Sequence, residues 1–500
     1  MATPPPPLHA LSAGTDQWGA DARLPTDPST TAQQVFSSYV FLLLFLPLFL
    51  IAYALTPARA RSVTILLGSL LFYAWAAPAA LGLLVTVIVF TYLIGGRVFA
   101  SAGRARWTWL TLGVGGNLAL LGYFKYANMA VGSTNAVRDA LGLDPFLWQH
   151  VLLPVGLSFY IFHAISYLVD LHRGSAQPPR NIIDFGAFVS LFPHLVAGPI
   201  LRFNQLADQF RDRTHTPAKF AEGAQRFMIG LSMKVLLADP LAPLVNAAYT
   251  AVHPSAADAW LGSVAYTLQL FFDFAGYSHM AIGLALMLGF RFPENFLDPY
   301  TATSITAFWQ RWHVSLGTFL REYVYIPLGG NRHGLTRTNL NLFLVMTVGG
   351  LWHGANWTFV LWGMWNGAFL VLERVLKKTF GRPPPPVWYA IPKVMLIVIL
   401  GRVLFRSESV AHAGEVYRGL AGLNGGPLTP DVALLVTPER LAVMLAGVAV
   451  IYGVPALRAR PHLLRPAVSA AGAYALVPLF LFAVATLAAQ QYAPFLYFQF

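Results

Sequence analysis

From Tyr39 almost to the C-terminus the chain repeats one feature that limits every fold open to it. Apolar stretches long enough to cross a bilayer, about 17 to 25 residues each, follow one another with the Lys and Arg residues falling between them. At about 150 residues per domain, 500 residues would suggest three soluble domains. Composition overrules that: 56% of the residues are hydrophobic and only 11% are charged, against roughly 25% charged in a soluble domain. Such a chain cannot cover a water-facing surface of its own, and it reads as an all-α, polytopic membrane protein.

The net charge is 33 − 21 = +12. Spread between apolar stretches rather than over one face, this charge is a set of topology signals, and nucleic-acid binding is excluded. There is no cysteine, which removes disulfides, thiolate metal sites and any thioester-forming nucleophile on this chain. No GxxxxGK[ST] loop or HExxH pair occurs, and Ser278 in Gly276-Tyr277-Ser278-His279-Met280 lacks the second glycine of a nucleophile elbow. ATPase, zinc protease and serine hydrolase chemistry are unsupported, and no bound metal or cofactor is expected.

Residues 1–35, with prolines at Pro4 to Pro7 and no apolar period, read as a disordered tail, and residues 36–500 as the membrane-embedded domain. The tail lacks the positive start and apolar run of a signal peptide, so residues 39–55 stay as the first crossing. Asp16, Asp21 and Asp27 lie before that crossing and Arg59 and Arg61 after it, which puts the N-terminus outside the cell membrane and the arginines inside. The rule continues through Arg97, Arg104 and Arg106, through the crossings at 107–127 and 149–171, to Arg173 and Arg180. Arg374, Lys377, Lys378, Arg382 and Lys393, then Arg458, Arg460 and Arg465, mark later cytoplasmic turns and leave Phe500 outside. Residues 185–200, broken by Pro193 and Pro199, predict a re-entrant or tilted segment. The basic stretch from Arg202 to Arg226 predicts an interfacial region. No internal repeat of the transporter kind is visible.

Residues 339–372, NLNLFLVMTVGGLWHGANWTFVLWGMWNGAFLVL, have cytoplasmic charge on both flanks. The segment is too long for one span and too short for two full ones. It predicts two arms of about 14 to 16 residues, some 21 to 24 Å each, broken at Gly349, Gly350 and Gly354. His353 then sits at the turn inside the membrane. An ionisable group held there is a functional candidate, and desolvation disfavours imidazolium, so the ring is neutral and able to accept a proton as a general base. The alternative is a core histidine satisfied by a carbonyl or by Asn356.

The run FWQRWHVSLGTFLREYVYIPLGGNRHG, from Phe308, mixes aromatics with Arg311, His313, Arg321 and Glu322 and predicts an interfacial helix. Arg321 and Tyr323 read as anchors, whereas His313 could share a cavity with His353. Asp273, between phenylalanines, must be paired or solvated. His163 and Asp170, about two turns apart, read as helix packing.

These motifs, with LPVGLSFYIFHAISYLVD, LVAGPILRF, FDFAGYSHMAIGLALMLGFRFPENFLDPY and GGLWHGANWTFVLWG in one order, resemble the membrane-bound O-acyltransferase family, in the branch that contains the alginate O-acetylation protein. NLALLGYFKYAN from Asn117 and the terminal APFLYFQF belong to the same match. The resemblance implies a ring of about 10 to 12 transmembrane helices, with re-entrant and interfacial helices, around a central tunnel. His353 of the WHG motif and His313 of the RWH motif would be catalytic, and Trp309, Arg311, Trp312, Trp352, Asn356 and Asp273 would line the tunnel. His279 and His194 depart from the Asp and Gln usual in this branch.

What the resemblance implies is an inner-membrane O-acetyltransferase. It would take acetyl from a cytoplasmic donor, acetyl-CoA, and pass it across the membrane for a cell-surface polysaccharide: alginate, cellulose, peptidoglycan or another glycan. Membrane lipids surround it, and an extracytoplasmic hydrolase-like acetyltransferase partner completes the transfer. The rival is a proton-coupled transporter or flippase with His353, Asp273 and His313 as its relay.

Overall fold

The computed structural model describes residues 36–381, 385–460 and 466–489, which are helical apart from loops and an isolated bridge between Phe296 and Trp312. The tail 1–35, Arg382, Arg465 and the terminal APFLYFQF run with Phe500 lie outside the described residues.

A π turn, Val40–Phe45, leads into α1 (Leu46–Leu55), followed by α2 (Arg61–Ala76) and α3 (Leu81–Ala100). Helix α4 (Gly103–Leu121) passes through a π segment, Gly122–Tyr126, into α5 (Ala127–Ala140). The breaks fall at the basic or proline-containing turns that the charge pattern marks. The crossing expected at 149–171 starts later, because α6 begins only at Leu157 (Leu157–Arg173). Gly156 turns the chain there at φ 75°, and a Cβ on it would stand 2.6 Å from the Leu195 carbonyl oxygen.

The broken segment at 185–200 forms α7 (Ile182–Ser190) and α8 (Phe192–Leu195). It is enclosed by protein, as irregular backbone in a membrane protein must be. Helix α9 (Phe203–Arg211) turns Phe203, Leu206 and Phe210 inward. The interfacial region expected as far as Arg226 ends sooner. Lys219 and Arg226 belong to α10 (Pro217–Ser232), which continues through Met233–Ala238 and Asp239–Leu241 into α11 (Ala242–Thr250). That run of 34 residues is long and apolar enough to cross.

Helix α12 (Ala256–Met287) is the axis of the fold, buried along nearly all of its 32 residues. A helix apolar all round belongs inside. Its small residues let neighbouring backbones close on it: a Cβ at Gly276 would stand 2.7 Å from the Gly230 carbonyl oxygen, and one at Gly283 2.5 Å from that of Gly223. Asp273, on this helix, meets Lys234 at 2.9 Å, and Lys234 also meets Asp239 at 2.8 Å. The carboxylate that had to be paired or solvated is paired.

Short α13 (Ile305–Arg311) and α14 (Val314–Leu320) lead through the π segment Arg321–Tyr325 to α15 (Gly334–His353) and α16 (Trp357–Phe380). The chain continues as α17 (Val387–Arg406), α18 (Val410–Leu420), α19 (Pro430–Leu435), α20 (Pro438–Arg458) and α21 (Pro466–Ala489). Among the described residues six helical runs are long and apolar enough to cross a bilayer. The chain is an all-α, multi-pass membrane protein.

Helices α15 and α16 are the expected broken hairpin with two corrections. The break lies at 354–356, and the arms of 20 and 24 residues are about 30 and 36 Å long, so each matches a whole hydrocarbon core. Gly349 and Gly350 remain helical. What these glycines supply is close approach of the arms: a Cβ at Gly350 would collide with the Phe359 carbonyl, and one at Gly363 would stand 2.5 Å from the Met346 carbonyl oxygen.

Candidate active site

His353 is the last residue of α15, and Gly354 behind it is extended. A Cβ at Gly354 would run into the Phe359 ring, so the turn accepts only glycine without moving that ring. Asn356 closes the turn: its side-chain oxygen accepts from the Thr358 N–H at 3.1 Å and starts α16, while its amide donates to the Glu408 carbonyl at 2.8 Å. The His353 imidazole is 7% exposed. It packs edge-to-face on Trp362 at 5.1 Å and on Phe405 at 5.2 Å.

The ring opens on a small cavity of about 20 Å³ beside Trp309, Trp312, Trp362, Asn366, Arg402 and Phe405. Glu373 of α16 accepts from the Ile305 N–H at 2.7 Å, which ties the start of α13, and so the Trp309 and Trp312 wall, to the hairpin. Gly401 lets α17 close on Trp365, whose indole N–H donates to the Ile397 carbonyl at 3.1 Å. Arg402 and Phe405, three apart on one face of α17, are thereby brought to the cavity.

His313 lies between α13 and α14 with φ 48° and ψ 53°, a left-handed conformation that costs a side chain of this size about 1–3 kcal/mol. Its ring centroid is 6.3 Å from that of His353. Asn295 fixes its tautomer. The Asn295 amide donates to Ser278 Oγ at 3.0 Å, and its oxygen accepts from Ser315 Oγ at 2.9 Å, so the oxygen is what faces His313 Nδ1 at 3.1 Å. Nδ1 therefore carries the proton and Nε2 the lone pair.

Of the residues expected to act or to line the tunnel, His353, Trp309 and Trp312 line this cavity. Trp352 backs it, stacked on Phe162 at 5.3 Å. Arg311 donates to Thr301 Oγ1 at 3.1 Å, Asn356 builds the turn, and Asp273 is held by Lys234; these three and His313 do not line the cavity. The interfacial helix expected around Phe308 is divided: Phe308 and Trp312 are buried, whereas Arg321 is at the surface and Tyr323 donates to Asp170 Oδ1 at 2.8 Å. His163 pairs with His194 at 3.1 Å in the core, so the unusual His194 meets a structural partner.

Four residues that sequence reasoning passed over complete the site: Lys125, Asn295, Asn366 and Arg402. Lys125, 7% exposed, donates to the carbonyls of Trp352 and His353, the latter at 3.3 Å, and to Ser158 Oγ at 3.4 Å. It thus caps the helix end that carries His353. Asn366 donates to the Trp362 carbonyl at 2.7 Å. With Lys234 at 1% and Arg402 at 4% exposure, these cations contradict the reading of all Lys and Arg as turn signals. One cation in a stretch of some 20 apolar residues hardly changes its hydropathy, and only its neighbours reveal it.

A model of the family described as MBOAT, membrane-bound O-acyltransferase, matches residues 143–404, a span that contains His313, His353 and Arg402. The chain is 47% identical to a probable alginate O-acetylase AlgI of Azotobacter vinelandii, covering 93% of this chain and 100% of that protein. It is 51% identical to the probable alginate O-acetylase AlgI of Pseudomonas aeruginosa over 77% of this chain and 74% of the relative. It is 34% identical to the peptidoglycan O-acetyltransferase of Helicobacter pylori over 78% and 80% of the two chains. With His353 at a cavity between helices, His313 6.3 Å from it ring to ring, and relatives matched along nearly the whole chain, the protein belongs to the membrane-bound O-acyltransferase family and is an O-acyltransferase.

Proposed function

We propose that this enzyme moves an acetyl group from acetyl-CoA, presented at the cytoplasmic face of the inner membrane, to a hydroxyl acceptor that serves O-acetylation of a cell-surface polysaccharide. Alginate is the leading acceptor, since relatives covered over their whole length are probable alginate O-acetylases. An extracytoplasmic hydrolase-like acetyltransferase completes the transfer, and the N-terminal tail, residues 1–35, lies on that side. The partner rests on the family resemblance and the orientation on the charge pattern.

His353 acts as general base. It takes the proton of the acceptor hydroxyl as the oxygen bonds to the acyl carbon. The carbon–sulfur bond then breaks and the thiolate leaves with that proton. No cysteine exists on the chain to carry the acyl group, which favours direct transfer over a thioester on the enzyme. His313, with its lone pair on Nε2 and its ring 6.3 Å from His353, orients the hydroxyl or holds its proton. The observation that carries this reading is His353 itself: a buried imidazole at a helix break, opening on a cavity among aromatic faces. The transporter reading is disfavoured because Asp273, the carboxylate of its relay, is engaged by Lys234 and stands outside that cavity.

His353→Ala is the test. Membrane insertion is expected at wild-type levels, because the substitution enlarges an existing cavity, while ester-linked acetate on surface glycan falls to the level of cells lacking the gene. Wild-type acetylation at matched protein would remove His353 as the base.

A further inference from the structure

Among the described residues Arg402 is the only Lys or Arg lining the cavity that holds His353, and none of them gives it an anion. The residue is 4% exposed, yet among the described residues its Nε and Nη1 have no hydrogen-bond acceptor. The guanidinium is held instead by aromatic faces, 4.4 Å above the ring of Trp312 and 5.7 Å from that of Tyr300. Other lining residues are Leu270, Val398, Phe308 and Asn366, one of whose two amide protons goes to the Trp362 carbonyl. A buried guanidinium stays charged, and a buried charge without a partner is costly. Stacking fixes its plane and leaves its N–H edge for something else.

Acyl transfer places a negative charge in this same space. When the hydroxyl oxygen adds to the acyl carbon, the carbonyl π pair moves to oxygen; when the thiolate leaves, the pair returns and the carbonyl re-forms. Donors aimed at that oxygen in a water-poor site act on the transition state more than on the ground state. We propose that the unpaired N–H edge of Arg402 receives this oxyanion, which makes Arg402 a catalytic residue opposite the base His353. The assignment rests on the acyl-transfer reading above.

The test compares Arg402→Met, Arg402→Lys and His353→Ala, each as the full chain in membranes. Glycan ester acetate in cells is measured together with thiol release from acetyl-CoA, with melting temperature as the folding control. Arg402→Met is expected to lower kcat about 10²- to 10³-fold with KM for the donor within about threefold. Arg402→Lys keeps a charge near the oxygen without the fixed fork and is expected to recover part of kcat. Arg402→Met acetylating within threefold of wild type, while His353→Ala is inactive, would overturn the role of Arg402 and leave the acyl-transfer reading standing. A raised KM at unchanged kcat would also overturn it, since Arg402 would then hold a ground-state anion. So would failure of both Arg402 variants to fold, which would make the residue structural. Activity in His353→Ala would sink the base assignment instead, whatever Arg402 does.

Discussion

Replacing Lys125 by Met separates what holds His353 in place from what holds the protein together. The amine donates to two terminal carbonyls of α15 and to Ser158, three acceptors for the three protons of an ammonium group. Hydrogen bonds from a charged donor are worth about 1.5–3 kcal/mol each. Keeping an ion out of water costs several kcal/mol, and none of those three acceptors carries a charge to offset it. The two terms oppose each other at similar size. Met fills the same space, so stability is expected to change by no more than about 2 kcal/mol, a shift of a few degrees in melting temperature. The end of α15, however, loses its cap one residue from the imidazole. A displacement of about 1 Å at a reacting group costs on the order of 100-fold in rate. Lys125→Met should therefore be folded and about 100-fold slower in acetyl transfer, measured as glycan ester acetate at matched protein. Activity within threefold of wild type would refute the positioning role, and so would a loss of activity that only follows a loss of folded protein.

Three further outcomes follow from the geometry. Gly363→Ala puts a methyl 2.5 Å from the Met346 carbonyl oxygen and 2.8 Å from Thr347 Cα, both backbone, so the arms must part. A cost of about 1–3 kcal/mol should appear as a lower melting temperature with reduced acetylation, and an unchanged melting curve would show that the hairpin is not so tightly closed. Asn295→Leu strips the acceptor from His313 Nδ1 and Ser315 Oγ, leaving buried donors at about 1–3 kcal/mol each. Acetylation should fall, and Asn295→Asp, which keeps the acceptor, should retain more of it; equal activity of the two variants would dissociate the tautomer from function. A tag on the N-terminus should be removed by impermeant protease on intact spheroplasts, and protection of that tag would reverse the orientation from the first helix onward.

Hydropathy made the long helices legible, because each of α3, α12, α16, α17 and α20 spends some 20 or more residues on apolar side chains, and little else produces that pattern. Where it failed, tertiary packing had the deciding vote. Residues 149–156 are as apolar as the helix they precede, yet Pro154 and the left-handed Gly156 hold them off it, and the Leu195 carbonyl enforces the turn. Lys219 and Arg226 looked like a surface array. They lie within the first three turns of a long membrane run, and Arg226 meets Glu294 at 2.6 Å from a loop distant in sequence.

The candidate site divides along the same line. His353 and His313 were legible because histidine inside an apolar motif is costly, and the turn was legible because no helix of 34 residues fits a bilayer with both flanks on one side. Which glycine breaks the helix was not. Gly349-Gly350 and Gly354 have equal backbone freedom in sequence, and the choice is made by what stands across from them. Gly350 faces the Phe359 carbonyl and Gly363 on the other arm, where a continuous helix permits the closest approach. Gly354 faces the Phe359 ring, where the chain must already have turned. Placing the break at Gly354 lengthens α15 by a turn and leaves His353 as its final residue, with its carbonyl released to Lys125 and its ring released to Trp362 and Phe405. A break four residues earlier would have kept His353 off the helix end, and neither the lysine cap nor the cavity shared with Arg402 would exist. The position of one helix end therefore decides whether the imidazole, the guanidinium and the aromatic wall meet at all.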